Sequence, residues 1–288
     1  MVPMDDWPTG TIEWLSPLVR RILAPNPSPF TFSGTHTYIV GSGEVAVIDP
    51  GPDLAEHIDA LLAAVDGERI AAIVCTHTHR DHSPASRLVK QATGAPIIGC
   101  AQLTMEDDGP RADAAFDPDY MPDRVLGDGE TLAGPGWTLE AIHTPGHTSN
   151  HLCLALREEQ TLFTGDHVMG WSTTVVSPPD GDMTAYMASL ERLLGRDDGI
   201  YYPAHGPAIE RPQRLVRGLI GHRKQREGQI LRHLRKGEGS IPAMVAQMYK
   251  GVDPRLHPAA ARSVLAHLLD LEARAMVVRS GEEWSMAA

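Results

Sequence analysis

The sequence predicts an α+β fold in two parts, a large domain over residues 1–212 and a small winged helix over residues 213–288. Three observations carry that prediction. Apolar runs of strand length recur from Leu18 to Tyr202 and are interrupted by stretches with helical spacing. Four of the strand-like runs end directly in loops bearing His or Asp. Beyond Gly206 the chain changes character, with three helical stretches followed by a strand–turn–strand signal.

In chain order, Leu18–Leu23 reads as a strand and Pro25-Asn26-Pro27-Ser28-Pro29 as a rigid loop. Thr37–Val40 and Val45–Ile48 flank Gly41-Ser42-Gly43-Glu44, a hairpin signal, and Asp49-Pro50-Gly51 ends the second strand. Leu54–Val65 has helical spacing and is expected as an outer helix with His57 facing solvent. Ile70–Val74 has the β-branched content of a buried strand. Ser83–Thr93 is expected as a helix, with Ser83 as its N-cap and Pro84 at its first position. Ala95–Gly99 follows as a short strand. Met105–Glu130 holds nine acids against Arg111 and Arg124, which predicts a solvated loop that repels polyanions. Trp137–Ile142, Thr161–Thr164 and Gly199–Tyr202 are further strands, and Met183–Leu194 is an amphipathic helix. The tail begins with a basic helix over Arg211–Arg235. A shorter helix over Ile241–Tyr249 follows, then Pro258–Glu272 with Ala261, Val264, Leu265, Leu268 and Leu271 on one face. Ala275–Arg279 and Glu283–Met286 form a hairpin around Ser280-Gly281. Three helices and a hairpin make a winged helix.

Net charge is −12, unevenly distributed. Residues 211–288 carry 14 Lys+Arg against 7 Asp+Glu, while residues 1–210 carry 11 against 30. Two modules with opposite electrostatic character follow from that split. Met1–Gly10 lacks a basic-then-apolar pattern, and no apolar run reaches membrane-spanning length, so a cytoplasmic protein is expected. Cys75, Cys100 and Cys153 lie in or beside apolar runs without paired spacing, as buried thiols of a reducing compartment do.

The densest chemistry lies in Thr76-His77-Thr78-His79-Arg80-Asp81-His82, where four metal-capable side chains fall within six residues just after a predicted strand. His77 and His79, two apart in an extended loop, can face one ion. Asp81 and His82 then point elsewhere, which suggests two metals side by side. More candidate ligands follow the later strands, in His143-Thr144-Pro145-Gly146-His147, Gly165-Asp166-His167 and Pro203-Ala204-His205-Gly206. This ordered set resembles the metallo-β-lactamase superfamily, which implies an αββα four-layer sandwich ahead of the winged helix.

The resemblance also implies roles. His77, His79 and His147 match the first metal's ligands, Asp81, His82 and His205 the second's, and Asp166 bridges both. Asp49 matches an Asp that supports the metal loop, and His151 matches a supporting His behind the ligands. Thr173 and Thr174 match a hydroxyl-bearing stretch near the metals, as candidates for substrate contact. The donor set suits two zinc ions best, with iron and manganese as alternatives. His36 stands where the family more often has Asn and is expected at the surface. His143 and His167 are expected to be structural.

In the tail, the Arg223…Arg226-Glu227 pattern resembles the C-terminal module of the beta-lactamase-like protein 2 branch, and Thr173–Val176 points the same way. Two ions about 3.5–4 Å apart lower the pKa of a shared water towards roughly 7, so hydrolysis by a bridging hydroxide is expected, with Asp81 orienting it. The branch implies phosphodiester cleavage in single-stranded RNA, which the basic tail supports and the acidic body opposes. The alternative is a small acyl substrate (thioester, lactone or β-lactam), with the winged helix serving packing or homodimer formation.

Overall fold

The computed structural model describes residues 7–103 and 116–288. Seven strands form the first sheet in sequence order: β1 (Glu13–Trp14), β2 (Val19–Leu23), β3 (His36–Ser42), β4 (Glu44–Ile48), β5 (Arg69–Cys75), β6 (Ile97–Gly99) and β7 (Arg124–Val125). β2 to β4 are antiparallel, and β3 turns into β4 at Gly43, whose φ of 74° suits glycine. From β4 to β6 the strands run parallel, so the connections must cross back over the sheet. Helices α1 (Ala55–Ala64) and α2 (Ala85–Thr93) make those crossings.

The second sheet has the order β12 (Ile200–Pro203), β11 (Thr161–Gly165), β10 (Leu152–Leu156), β9 (Trp137–His143) and β8 (Thr131–Gly134). Alternation along β10 shows how it is used. Leu152, Leu154 and Leu156 enter the core shared with the first sheet. Cys153 and Ala155 face α3 (Met183–Leu194) and the first turns of α4 (Pro212–Arg235). Burial on both faces accounts for its unbroken apolar sequence. The layers are therefore helix, sheet, sheet, helix, the αββα sandwich that the ligand pattern implied.

Helix α4 joins two cores. Val216, Leu219 and Ile220 pack on the second-sheet side, whereas Ile230, Leu231 and Leu234 pack into the C-terminal module. That module contains α5 (Ile241–Met248), α6 (His257–Ala273) and the hairpin β13 (Val277–Ser280) and β14 (Glu283–Met286). Met244, Val245, Val264, Leu268, Leu271, Val277 and Trp284 fill its centre, giving the winged helix.

The structure corrects several local expectations. His57 is fully buried instead of facing solvent; its Nε2 lies 2.8 Å from the Thr37 hydroxyl, which donates to the Asp49 carbonyl at 2.7 Å. Helical spacing placed it on a face, but not the face that meets β3. Ser83 does not cap α2, which starts at Ala85 after Pro84 with no side-chain cap. The Ser83 hydroxyl donates instead to Asp117 at 3.0 Å. Asp117 is itself buried, accepts from Arg87 at 2.7 Å, and donates its backbone N–H to the Thr78 carbonyl at 2.6 Å. The acidic segment from Phe116 onward is thus partly folded into the body, with Tyr120 fully buried. Residues 1–6 and the acids Glu106, Asp107, Asp108 and Asp113 lie outside the described residues. His36 is also fully buried, on β3 against the Pro203 carbonyl at 3.3 Å, because its strand lies behind β12.

Burial holds His57 neutral, with a pKa lowered to about 4, and burial with nearby Arg223 lowers His267 on α6 to about 3. The unfolded chain protonates both near 6.5, so their neutral burial is free above that pH and opposes folding increasingly below it. Urea unfolding of the metal-free protein is therefore expected to show a lower midpoint at pH 5 than at pH 7.5. A His267→Leu variant should flatten that slope; an unchanged slope would mean that the ring is solvated.

Candidate metal centre

Four strand ends meet at one edge of the sandwich. The Leu152 N–H donates to the Thr76 carbonyl at 2.8 Å, tying β10 to the loop after β5. The Ala204 N–H donates to the Gly165 carbonyl at 3.0 Å, and the His36 N–H to the Ala204 carbonyl at 2.9 Å. These links bring His77, His79, Asp81, His82, His147, Asp166 and His205 together, all buried. Donor atoms of His77, His79, His147 and Asp166 lie within 4.8 Å of one another, and so do those of Asp81, His82 and His205.

Whether these groups suit metal ions can be decided from their outer contacts. Asp49, at a positive φ of 48°, accepts the Thr76 N–H at 2.7 Å and its hydroxyl at 2.8 Å. It also accepts His82 Nδ1–H at 2.9 Å. With its own proton on Asp49, the Thr76 hydroxyl accepts His77 Nδ1–H at 3.0 Å. His147 Nδ1–H meets the Val175 carbonyl at 2.7 Å, and His205 Nδ1–H the Gly34 carbonyl at 3.0 Å. In the neutral form of all four rings, therefore, the inner Nε2 presents a lone pair. The Nε2 atoms of His77 and His147 each lie 3.1 Å from His79 Nδ1. With His79 Nδ1 unprotonated, three nitrogen lone pairs converge there, and a cation between them would satisfy all three.

The carboxylates complete the pattern. Asp166 Oδ2 faces His147 Nε2 at 3.5 Å, while Oδ1 faces His205 at 3.2 Å and His82 at 3.6 Å. It therefore spans the two groups. Burial disfavours charge on Asp166, but His205 and His82 outweigh it and hold its pKa well below the usual carboxylate range. Burial likewise opposes charge on His205, yet Asp166 and Asp81 push its pKa up to about 10. The buried carboxylates thus demand positive charge among the rings, and divalent metal ions meet that demand. The donor set fits two ions.

The remaining predicted residues brace this set. His151 accepts the Asp166 N–H on Nε2 at 3.2 Å and turns Nδ1–H to the Thr144 hydroxyl at 2.9 Å. Thr174 is turned inward, its hydroxyl donating to the Asp166 and His167 carbonyls at 2.8 and 3.0 Å, so it supports the loop and does not line the cavity described below. Thr173 is partly buried and does not line the cavity described below. His143 is exposed, and His167 packs edge-on against Tyr186. Sequence reasoning missed Thr35, which is fully buried with its hydroxyl 3.3 Å from Asp81 Oδ2. No spacing signal marks Thr35, because the long loop before β3 brings it there.

A cavity of about 430 Å³ opens over the centre. His79, Asp81, His147, Asp166 and His205 form its floor, while Pro29, Phe30, Met169, Trp171 and Val175 supply apolar walls. Among the described residues no Lys or Arg lines it. Trp171 stacks on Phe32 with ring centres 5.0 Å apart, so the wall is braced from behind.

Comparison with known proteins agrees with this geometry. A profile of the Metallo-beta-lactamase superfamily matches residues 30–205, and one of the Beta-lactamase associated winged helix domain matches residues 240–284. The chain is 35% identical to a Beta-lactamase-like protein 2 homolog of Drosophila melanogaster, over 93% of each protein. It is 34% identical to an Atrochrysone carboxyl ACP thioesterase of Aspergillus fumigatus, over 85% of this chain and 76% of the relative. In structure it resembles a Beta-lactamase domain protein from Burkholderia ambifaria (TM-score 0.80, 18% identity), which covers 99% of this chain and 96% of that one.

Asp49 touches no substrate, yet three donors depend on it. An Asp49→Ala variant is expected to weaken zinc binding about 10–100-fold, the range for such outer partners, while keeping its fold by circular dichroism. Wild-type affinity in a zinc titration would show that the loop holds His77 and His82 without it.

Proposed function

Because the chain belongs to the metallo-beta-lactamase superfamily and is a hydrolase of that superfamily, we propose that it hydrolyses a small acyl substrate, a thioester above all. Residues His77, His79 and His147 would hold one zinc ion and Asp81, His82 and His205 a second, with Asp166 facing both groups. When bound, such a pair supplies Lewis acidity and lowers the pKa of a shared water towards about 7. The observation that carries the substrate class is the cavity lining. Apolar walls of Phe30, Met169, Trp171 and Val175 desolvate an acyl chain, and no described cation lines the cavity to neutralise a phosphodiester.

The leaving group points the same way. None of the described lining residues is a Lys, Tyr or Cys able to donate a proton to it. A thiolate, whose conjugate acid has a pKa near 8.5, departs without one. Asp81 accepts from Thr35 and is held low in pKa by His82 and His205 despite its burial, so it orients an attacking water better than it stores that water's proton. The relative named as an ACP thioesterase supports this reading.

Cleavage of single-stranded RNA is the second reading, favoured by one observation. Arg214, Arg217, Lys224, Arg232 and Arg235 are exposed along α4 and form no ion pair among the described residues. Free buried Cys75, Cys100 and Cys153 accord with a reducing compartment such as the cytoplasm. Among the described residues no helix is long and apolar enough to cross a membrane.

Protein purified without added metal is expected to carry about two zinc ions per chain by mass spectrometry, halved or lost in His77→Ala. One iron per chain would overturn the hydrolytic reading. With an aryl thioester, Trp171→Ala should lower kcat/KM roughly tenfold or more; no turnover of any acyl compound by fully loaded enzyme would exclude this class. If RNA is the substrate instead, binding falls steeply with salt and Arg214→Glu/Arg217→Glu abolishes it, whereas no binding even at low salt removes that reading.

A further inference from the structure

Arg223 is 4% exposed on α4 and has no carboxylate partner among the described residues. Its Nη2 donates to the Thr174 carbonyl, its Cζ sits 5.1 Å over the Tyr186 ring, and its Nε is buried without a partner. The neighbouring members of the Arg223…Arg226-Glu227 pattern stay inside the C-terminal module. Arg226 donates to the Met248 carbonyl at 3.1 Å and lies 4.4 Å over Tyr249, while Glu227 pairs with Arg274 at 2.6 Å. Of the three, only Arg223 reaches the catalytic body.

The backbone it reaches is the one that holds two candidate ligands. Thr174 donates to the Asp166 carbonyl at 2.8 Å, and the Val175 carbonyl accepts His147 Nδ1–H at 2.7 Å. Residues 174 and 175 are therefore clamped between Arg223 on one side and His147 and Asp166 on the other. A buried guanidinium without a carboxylate is costly to keep unless a dipole and a ring face compensate it, and here both do. A charge-assisted bond to the Thr174 carbonyl is also stronger than the neutral bond that a Gln would offer.

We propose that Arg223 is a positioning residue through which the C-terminal module sets the affinity of the ion held by His77, His79 and His147. This rests on the metal-centre reading above. Arg223 touches neither ligand; it fixes the segment whose Val175 carbonyl orients the His147 ring and whose Thr174 hydroxyl anchors the Asp166 loop. The group of Asp81, His82 and His205 draws its outer contacts from Thr35, Asp49 and Gly34 and meets that segment only through the shared Asp166.

The test is zinc titration of the full-length metal-free protein against a chelating indicator, which reads two equivalents without any substrate. Arg223→Gln should weaken one equivalent about tenfold or more and the other, which meets the segment only through Asp166, by a smaller factor, with Arg223→Lys intermediate. Thr174→Val, which removes only the hydroxyl bonds, should weaken the same equivalent and carries the test if the Gln variant does not fold. Asp270→Ala removes the acceptor of a contact across the same seam, from Thr184 at 2.5 Å, without touching residues 174 or 175, and should leave both equivalents unchanged. Two outcomes overturn the proposal: wild-type affinities in both Arg223→Gln and Thr174→Val, or equal losses in Asp270→Ala and Arg223→Gln. Wild-type protein that takes up no zinc would instead sink the metal-centre reading itself.

Discussion

Two buried carboxylates facing a ring of imidazoles set the terms for the rest of the molecule. Asp81 and Asp166 lie inside the protein with His205 and His82 as their nearest charged partners, while His77 and His79 are held neutral mainly by burial. Burying an uncompensated carboxylate costs several kcal/mol, so such a cluster persists only where positive charge is supplied. The surrounding fold behaves as a frame for that charge. Asp49, Thr76, His151, Gly34 and Val175 each engage an outer atom of a ligand or its loop, leaving the inner atoms to converge.

The two sheets make that convergence possible. Their strands end at one edge, and hydrogen bonds from Leu152 to Thr76 and from Ala204 to Gly165 stitch the ends together. Small residues allow the close approach. A Cβ at Gly165 would come within 2.7 Å of His151 Nε2, and one at Gly146 within 2.3 Å of the Tyr186 backbone. Both glycines adopt positive φ, so an L side chain would be strained there as well as crowded.

The C-terminal module belongs to this architecture and is not an appendage. Helix α4 contributes its first turns to the core of the catalytic body and its last turns to the winged helix, so one rigid rod passes between them. Ser177 accepts from Arg262 and Thr184 donates to Asp270, adding ties along the same seam. The exposed side of α4 carries unpaired cations, while its buried side holds the backbone behind the metal centre. Electrostatic and structural roles thus occupy opposite faces of one helix.

Sequence by itself determined most of the elements and named the candidate ligands. Strand and helix periodicities are local, and His77, His79, Asp81 and His82 carry their spacing within one loop, so both could be read without long-range information. His147, Asp166 and His205 were legible through the resemblance to the superfamily, since His143 and His167 also stand at the ends of those strands. Tertiary structure alone decided which faces meet. It buried His57 and His36, drew Ser83 away from capping to Asp117, placed Thr35 on Asp81, and turned Thr174 towards the Asp166 loop. Ser83 and Thr35 depend on partners 34 and 46 residues away, His57 and His36 on which neighbouring layer covers them, and Thr174 on how its own loop folds back, and periodicity reports none of these. The cavity's chemistry has the same origin, since Phe30 and Trp171 line one cavity only once both loops have folded over the candidate metal centre.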